Sequence, residues 1–161
     1  MGYTARDVMN SEVLSVSPEE PLLQVHRFFV DEEITGAPVV DQDGRVLGVI
    51  SSADLLRAVA EDHEAGSTSP TYFRELLEFS GPDWGQVPDD FQDRLGQLTA
   101  ADAMTEQVVS VEPDAPLEEV ARLLRFHRIH RVLVQEEGRL AGIITTFDLI
   151  GLLEKGGVPS R

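Results

Sequence analysis

The chain contains a copy of itself, and this repeat limits the possible folds more than any other feature of the sequence. A shift of 95 residues lays Thr4 on Thr99, Asp7 on Asp102, Met9 on Met104, Ser15 on Ser110, Pro18 on Pro113, Pro21 on Pro116, Val25 on Val120 and Ile34 on Ile129. One residue is lost before Gly138, and a shift of 94 then pairs Gly44 with Gly138, Gly48 with Gly142 and Asp54 with Asp148. Each copy must therefore be one supersecondary unit that cannot cover its own apolar face. Residues 4–61 are read as the first repeat, 62–98 as an insert and 99–154 as the second repeat.

Local patterns define the unit. Residues 13–16 form a β-branched run, Pro18 and Pro21 stop it, and Leu22, Val25 and Phe29 follow at helical spacing to about Glu33. Leu117, Val120, Ala121 and Leu124 are the counterparts. A second strand over 37–41 turns at Asp43-Gly44, a pair suited to a tight hairpin, and returns over 46–50. The second copy has 132–134, a turn at Gly138, and 140–144. A helix closes each copy, 53–61 or 147–153. The spacing predicts tandem β-α-β-β-α units of the α/β (α+β) class, packed as one pseudo-twofold module whose copies cover each other's sheets.

The insert is too long for a plain connection. Residues 64–70 read as a surface segment. Tyr72, Phe73, Leu76, Leu77 and Phe79 then predict a short amphipathic helix with Ser69-Pro70 at its start, residues 81–88 a loop, and Phe91, Leu95 and Leu98 a further helix. The aromatic side chains Tyr72, Phe73, Phe79, Trp84 and Phe91 are expected to pin the insert to its own core, the other reading being an exposed patch for a partner. The tail, 156–161, is expected to fray.

Charge and composition exclude several functions. Thirteen basic residues against 29 acidic ones give a net charge of −16, which repels nucleic-acid phosphates and anionic membrane surfaces. There is no cysteine, hence no disulfide, thiolate chemistry or cysteine metal site. No apolar run is long enough to insert into a membrane and no signal pattern begins the chain, so a cytoplasmic location is expected. A glycine-rich phosphate loop, a paired-histidine motif and a nucleophile elbow are all missing, which predicts no catalytic residue, no enzyme activity and no required cofactor. His127 and His130 find no further ligands for zinc, so no metal site is expected.

The most informative stretch is Gly48-Val-Ile-Ser51-Ser-Ala-Asp54, repeated as Gly142-Ile-Ile-Thr145-Thr-Phe-Asp148. A hydroxyl residue followed three positions later by an acid, where a strand meets a helix, is a capping box. The same geometry suits a ligand. The helix N-terminus offers donors to an anion, the hydroxyl can donate to a phosphate, and the carboxylate can accept from a ribose diol. The residues themselves leave both readings open.

Set together, the Asp-x-Met openings, the Ser/Thr-Val-x-Pro stretches at 15–18 and 110–113, and the two Gly-to-Asp stretches resemble a CBS-domain pair, or Bateman module, over 4–61 and 99–154. The resemblance implies that adenine nucleotides or related adenosyl compounds, such as AMP, ADP, ATP or S-adenosylmethionine, bind as regulatory ligands between the repeats. It implies one cleft of Ser51, Asp54, Val108, Val109, Ile129, His130 and Arg131. The other would comprise Thr145, Asp148, Val13, Leu14, Ile34, Thr35 and Gly36. The run His127-Arg128-Ile129-His130-Arg131 faces the first cleft where its counterpart is Glu32-Glu33-Ile34-Thr35-Gly36, so a charged ligand is expected there. The reading is a regulatory ligand sensor that forms a homodimer and acts on an unseen protein. The alternative is an interaction scaffold with unoccupied clefts.

Overall fold

The computed structural model describes residues 2–60, 71–74 and 91–154. The first copy runs α1 (Ala5–Val8), α2 (Leu22–Glu32), β1 (Gly36–Val40), β2 (Val46–Ser51) and α3 (Ser52–Ala60). The insert contributes α4 (Thr71–Arg74) and α5 (Phe91–Gln97). The second copy runs α6 (Ala100–Ala103), β3 (Ser110–Val111), α7 (Leu117–His127), β4 (Arg131–Glu136), β5 (Arg139–Thr145) and α8 (Thr146–Glu154). The predicted segments 64–70 and 81–88, the 156–161 tail, and Leu76, Leu77, Phe79 and Trp84 lie outside the described residues.

Local chemistry explains most of these elements. The aspartate of each Asp-x-Met opening closes a capping box, with the Thr4 and Thr99 N–H groups donating to Asp7 and Asp102 Oδ2 at 2.8 Å. Pro21 and Pro116 cap α2 and α7, which turn apolar faces inward through Leu22, Val25 and Phe29, and through Val120 and Leu124. Glu33 and Arg128 then end these helices in the left-handed region, at φ 55° and 54°.

The predicted strand over 13–16 shrinks to a single parallel bridge between Val16 and Val39. Proline chemistry explains why. In the second copy Leu133 N–H donates to Val109 O at 3.1 Å, one rung below β3. Pro38 is the counterpart of Leu133 and has no N–H to give. The first copy therefore keeps only the rungs through Val16, from Val16 N–H to Pro38 O and from Val40 N–H to Val16 O.

The copies are joined by exchange. Asn10, at the end of the first opening, pairs with Ile143 of β5 through both backbone bonds, at 2.9 and 3.0 Å. Thr105, at the end of the second opening, pairs in the same way with Val49 of β2, both bonds at 2.9 Å. Each opening thus closes the open sheet edge of the other repeat. The hairpin tips also join, Val46 N–H donating to Gly138 O at 3.1 Å and Leu140 N–H to Gly44 O at 2.9 Å.

The insert has no core of its own among the described residues, contrary to the expectation for its aromatic side chains. Leu95 is buried with Leu22, Val25, Phe29 and Leu55 of the first repeat. Tyr72 and Phe73 join a cluster dominated by the second repeat, with Ile129, Val132 and Leu133. A helical turn and a seven-residue helix are too short to cover one another, while the repeats offer apolar faces to both.

The exchange accounts for the glycine of each repeated stretch. A Cβ at Gly48 would stand 2.5 Å from Thr105 O, and one at Gly142 2.8 Å from Met9 Sδ. Gly48→Ala should therefore destabilise the protein by on the order of 1–3 kcal/mol. Gly96→Ala, at an exposed position of α5 with open space around it, should hold or raise stability by up to about 1 kcal/mol. Urea unfolding of the two variants beside the parent checks both, and equal behaviour would discount the close approach.

Candidate functional site

Strands β2 and β5 end at Ser51 and Thr145, directly before α3 and α8. At the first corner the Ser51 N–H and Oγ–H donate to Asp54 Oδ2 at 2.8 and 3.1 Å, and the Asp54 N–H donates to Ser51 Oγ at 3.3 Å. At the second, the corresponding Thr145 and Asp148 distances are 2.8, 3.1 and 3.2 Å. Both stretches are thus complete capping boxes. A further backbone bond latches each corner to the strand beside it, Ser52 N–H to Thr35 O at 2.8 Å and Thr146 N–H to His130 O at 3.0 Å.

The corners differ in what surrounds the acid. Asp54 is only 4% exposed, and its second oxygen, Oδ1, accepts from the Arg57 guanidinium one helical turn on. Burial pushes its carboxyl above the ordinary value, opposed by the Ser51 N–H and by Arg57. Asp148 is half-buried, and among the described residues its Oδ1 has no hydrogen-bond partner. Arg57 was not among the sequence-predicted residues, although an arginine three positions after an acid on a helix is a readable signal.

The register places Gly36 opposite Ser51 and Arg131 opposite Thr145. Between Gly36 and Arg131 lies Tyr72 of the insert. A Cβ on Gly36 would meet its ring at 2.6 Å, and the Arg131 Cζ sits 4.7 Å from the ring centroid. Burial raises the Tyr72 phenol above its ordinary pKa, with Arg131 acting in the opposite direction. Phe73 O accepts the His130 N–H at 2.8 Å. Tyr72 and Phe73 are thus neighbours of the site that local pattern did not identify, because only the tertiary fold brings the insert there.

The remaining predicted residues distribute unevenly. Val108 and Val109 are half-buried against the second-repeat core, where Ile129 is buried. Arg131 and Thr35 are buried despite their polarity. Val13 and Ile34 are half-buried, and Leu14 is exposed. His130 lines a groove of about 380 Å³ together with Arg125, Arg128, Thr146 and the apolar Leu124 and Leu149. No cluster of three potential metal ligands occurs among the described residues, and none of their helices is long and apolar enough to cross a membrane.

The CBS-domain model matches residues 5–61 and 100–155. An uncharacterised Methanocaldococcus jannaschii protein, MJ1426, is 31% identical over 152 residues, covering 92% of this chain and 89% of that protein. Other relatives are longer, and the chain spans 42% of MJ1225 from the same organism. The crystal structure of CBSX2 in complex with AMP, a protein of Arabidopsis thaliana, shares the fold at TM-score 0.66 and 24% identity, over 96% of this chain and 98% of that one. The CBS domain pair of protein MJ0100, in complex with 5'-methylthioadenosine and S-adenosylmethionine, does so at TM-score 0.63 and 18% identity, over 97% and 99%.

The raised pKa of Asp54 has a readable sign. The folded protein holds this proton more tightly than the unfolded chain, whose carboxyl titrates near pH 3.9. Asp54 therefore costs stability above its folded pKa, and the cost is relieved as pH falls through the interval between the two values. Asp54→Asn lacks this titration, so the stability of the parent minus that of the variant should rise on acidification. Urea unfolding at a series of pH values measures it, and a falling difference would mean that Ser51 and Arg57 outweigh burial.

Proposed function

The chain belongs to the CBS-domain family, and from that premise we propose that it is a regulatory module that senses an adenosyl ligand in clefts between its two repeats. The observation that carries this reading is the pair of matching corners, each presenting a hydroxyl, a carboxylate and a helix N-terminus at the end of a strand. The relatives crystallised with AMP and with S-adenosylmethionine share the fold and lend support.

In the proposed mode, Ser51 or Thr145 turns its hydroxyl to a phosphate or its equivalent, and Asp54 or Asp148 accepts from the ribose diol. Val108, Val109 and Ile129 would hold the base of the first ligand, with His130 and Arg131 beside its phosphates. Val13, Leu14 and the 34–36 segment would serve the second. Ligand energy drives regulation only through different affinities for two arrangements of the repeats or subunits. No catalytic role is assigned to any residue. The output passes to a partner protein through a homodimer. For that dimer the exposed Phe147, Ile150 and Leu153 of α8, with Phe126 of α7, provide an apolar face.

Calorimetry with AMP, ADP, ATP and S-adenosylmethionine tests the reading. Asp54→Ala and Asp148→Ala should each weaken one binding event by on the order of 1–3 kcal/mol. Arg131→Ala should cost ATP and ADP more than adenosine. No heat from any of these ligands at millimolar concentration would reject the sensor. Ile150→Glu with Leu153→Glu should convert a dimer to a monomer in sedimentation velocity, and an unchanged dimer would place the interface elsewhere.

A further inference from the structure

The insert packs against residues assigned above to the two proposed clefts, Gly36 on one side and His130 and Arg131 on the other. Tyr72 and Phe73 are 2% and 0% exposed, so neither is a surface residue brushing the cleft. The two positions that flank the Tyr72 ring, Gly36 and Arg131, are equivalents under the 95-residue shift. On one side only glycine leaves the ring room, since a Cβ would lie 2.6 Å from it and 2.9 Å from Ile50 O. On the other side the Arg131 guanidinium covers the ring at 4.7 Å. Phe73 O meanwhile takes the main-chain N–H of His130 at 2.8 Å.

Resting on the sensor reading above, we infer that the Thr71–Arg74 turn is an internal occupant of the first cleft, which an adenosyl ligand enters only by displacing Tyr72 and Phe73, and which favours ligands carrying phosphate. Each contact of the turn has a counterpart in such a ligand. The Phe73 carbonyl is an acceptor for the His130 N–H, and a purine ring nitrogen is another. Tyr72 offers Arg131 the face of an aromatic ring. A phosphate offers the same guanidinium charge-assisted, two-pronged hydrogen bonds, which are stronger. A nucleoside without phosphate can offer Arg131 at most another ring face in exchange for Tyr72, with no gain, so Arg131 stays where it is.

The two corners are unequal in exposure. Asp54, on the side of the turn where Tyr72 meets Gly36 and the end of β2, is sealed at 4% exposure, while Asp148 is half-buried. Because only the displaced form accepts the first ligand, its apparent affinity falls by the fraction of molecules in that form. Removing the ring should return the lost affinity.

Two measurements on the whole 161-residue chain decide the matter. In calorimetry, Tyr72→Ala should bind ATP about tenfold more tightly than the parent while adenosine changes little, the sign expected when a competing state is removed. In hydrogen exchange of the unmodified protein, saturating ATP should speed exchange at 71–74. Adenosine should not. Tighter protection of 71–74 with ATP, or weaker ATP binding by Tyr72→Ala, would show that the turn supports the ligand and would overturn the inference alone. Absence of binding by parent and variant would remove the sensor reading and the occupant with it. Should Tyr72→Ala fail to fold, the exchange experiment on the parent decides.

Discussion

Thr105 makes both backbone hydrogen bonds with Val49, and Asn10 makes both with Ile143. These two short ladders run between the repeats in opposite directions, so neither repeat has a closed sheet edge without the other. A unit of about 60 residues is already marginal in the surface it can bury. Here it also needs its partner's opening to satisfy the outer strand. The glycines at 48 and 142 follow from this, because the crossing chain passes within 2.5 and 3.0 Å of where their Cβ atoms would stand. So does the position of the two corners, since β2 and β5 are held along their outer edges just before Ser51 and Thr145.

Fixing the strand ends fixes the chemistry available there. The hydroxyl and carboxylate that could bind a ligand already bind each other and the helix N-terminus, through bonds of 2.8 to 3.3 Å. Capping and the proposed ligand recognition would therefore draw on one set of atoms. Asp oxygens have more acceptor sites than the cap consumes, so the backbone bond can persist while the second oxygen turns to a sugar. At Asp148 that oxygen is uncommitted among the described residues. At Asp54 it is held by Arg57, so a ligand there must share the carboxylate or draw Arg57 aside.

Much of this was legible in the sequence because the duplication supplies its own control. The helices over 22–32 and 117–127, the hairpins and the capping acids were all implied by local patterns that occur twice. What escaped had causes outside the local window. The first strand lost its lower rung because Pro38, on a different element, lacks the donor that Leu133 has. The exchange of openings could not be read, since Met9 and Gly48 lie in one repeat by sequence yet meet Gly142 and Met104 of the other. Tyr72 and Phe73 looked like residues of a self-contained insert because nothing in a four-residue turn says which sheet it will cover.

Duplication builds two like environments about a pseudo-twofold axis, and on that basis alone the two corners should behave alike. The insert breaks the equivalence, and the repeats carry the substitutions that accommodate it. At one pair of equivalent positions the first copy has Gly36 and the second has Arg131, one giving a ring space and the other giving it a cationic lid. A buried arginine beside an apolar cluster is costly without a partner, and Tyr72 supplies a ring face to it. The asymmetry of the scaffold therefore involves the segment between the copies, whose Tyr72 stands between two equivalent positions that differ, Gly36 and Arg131.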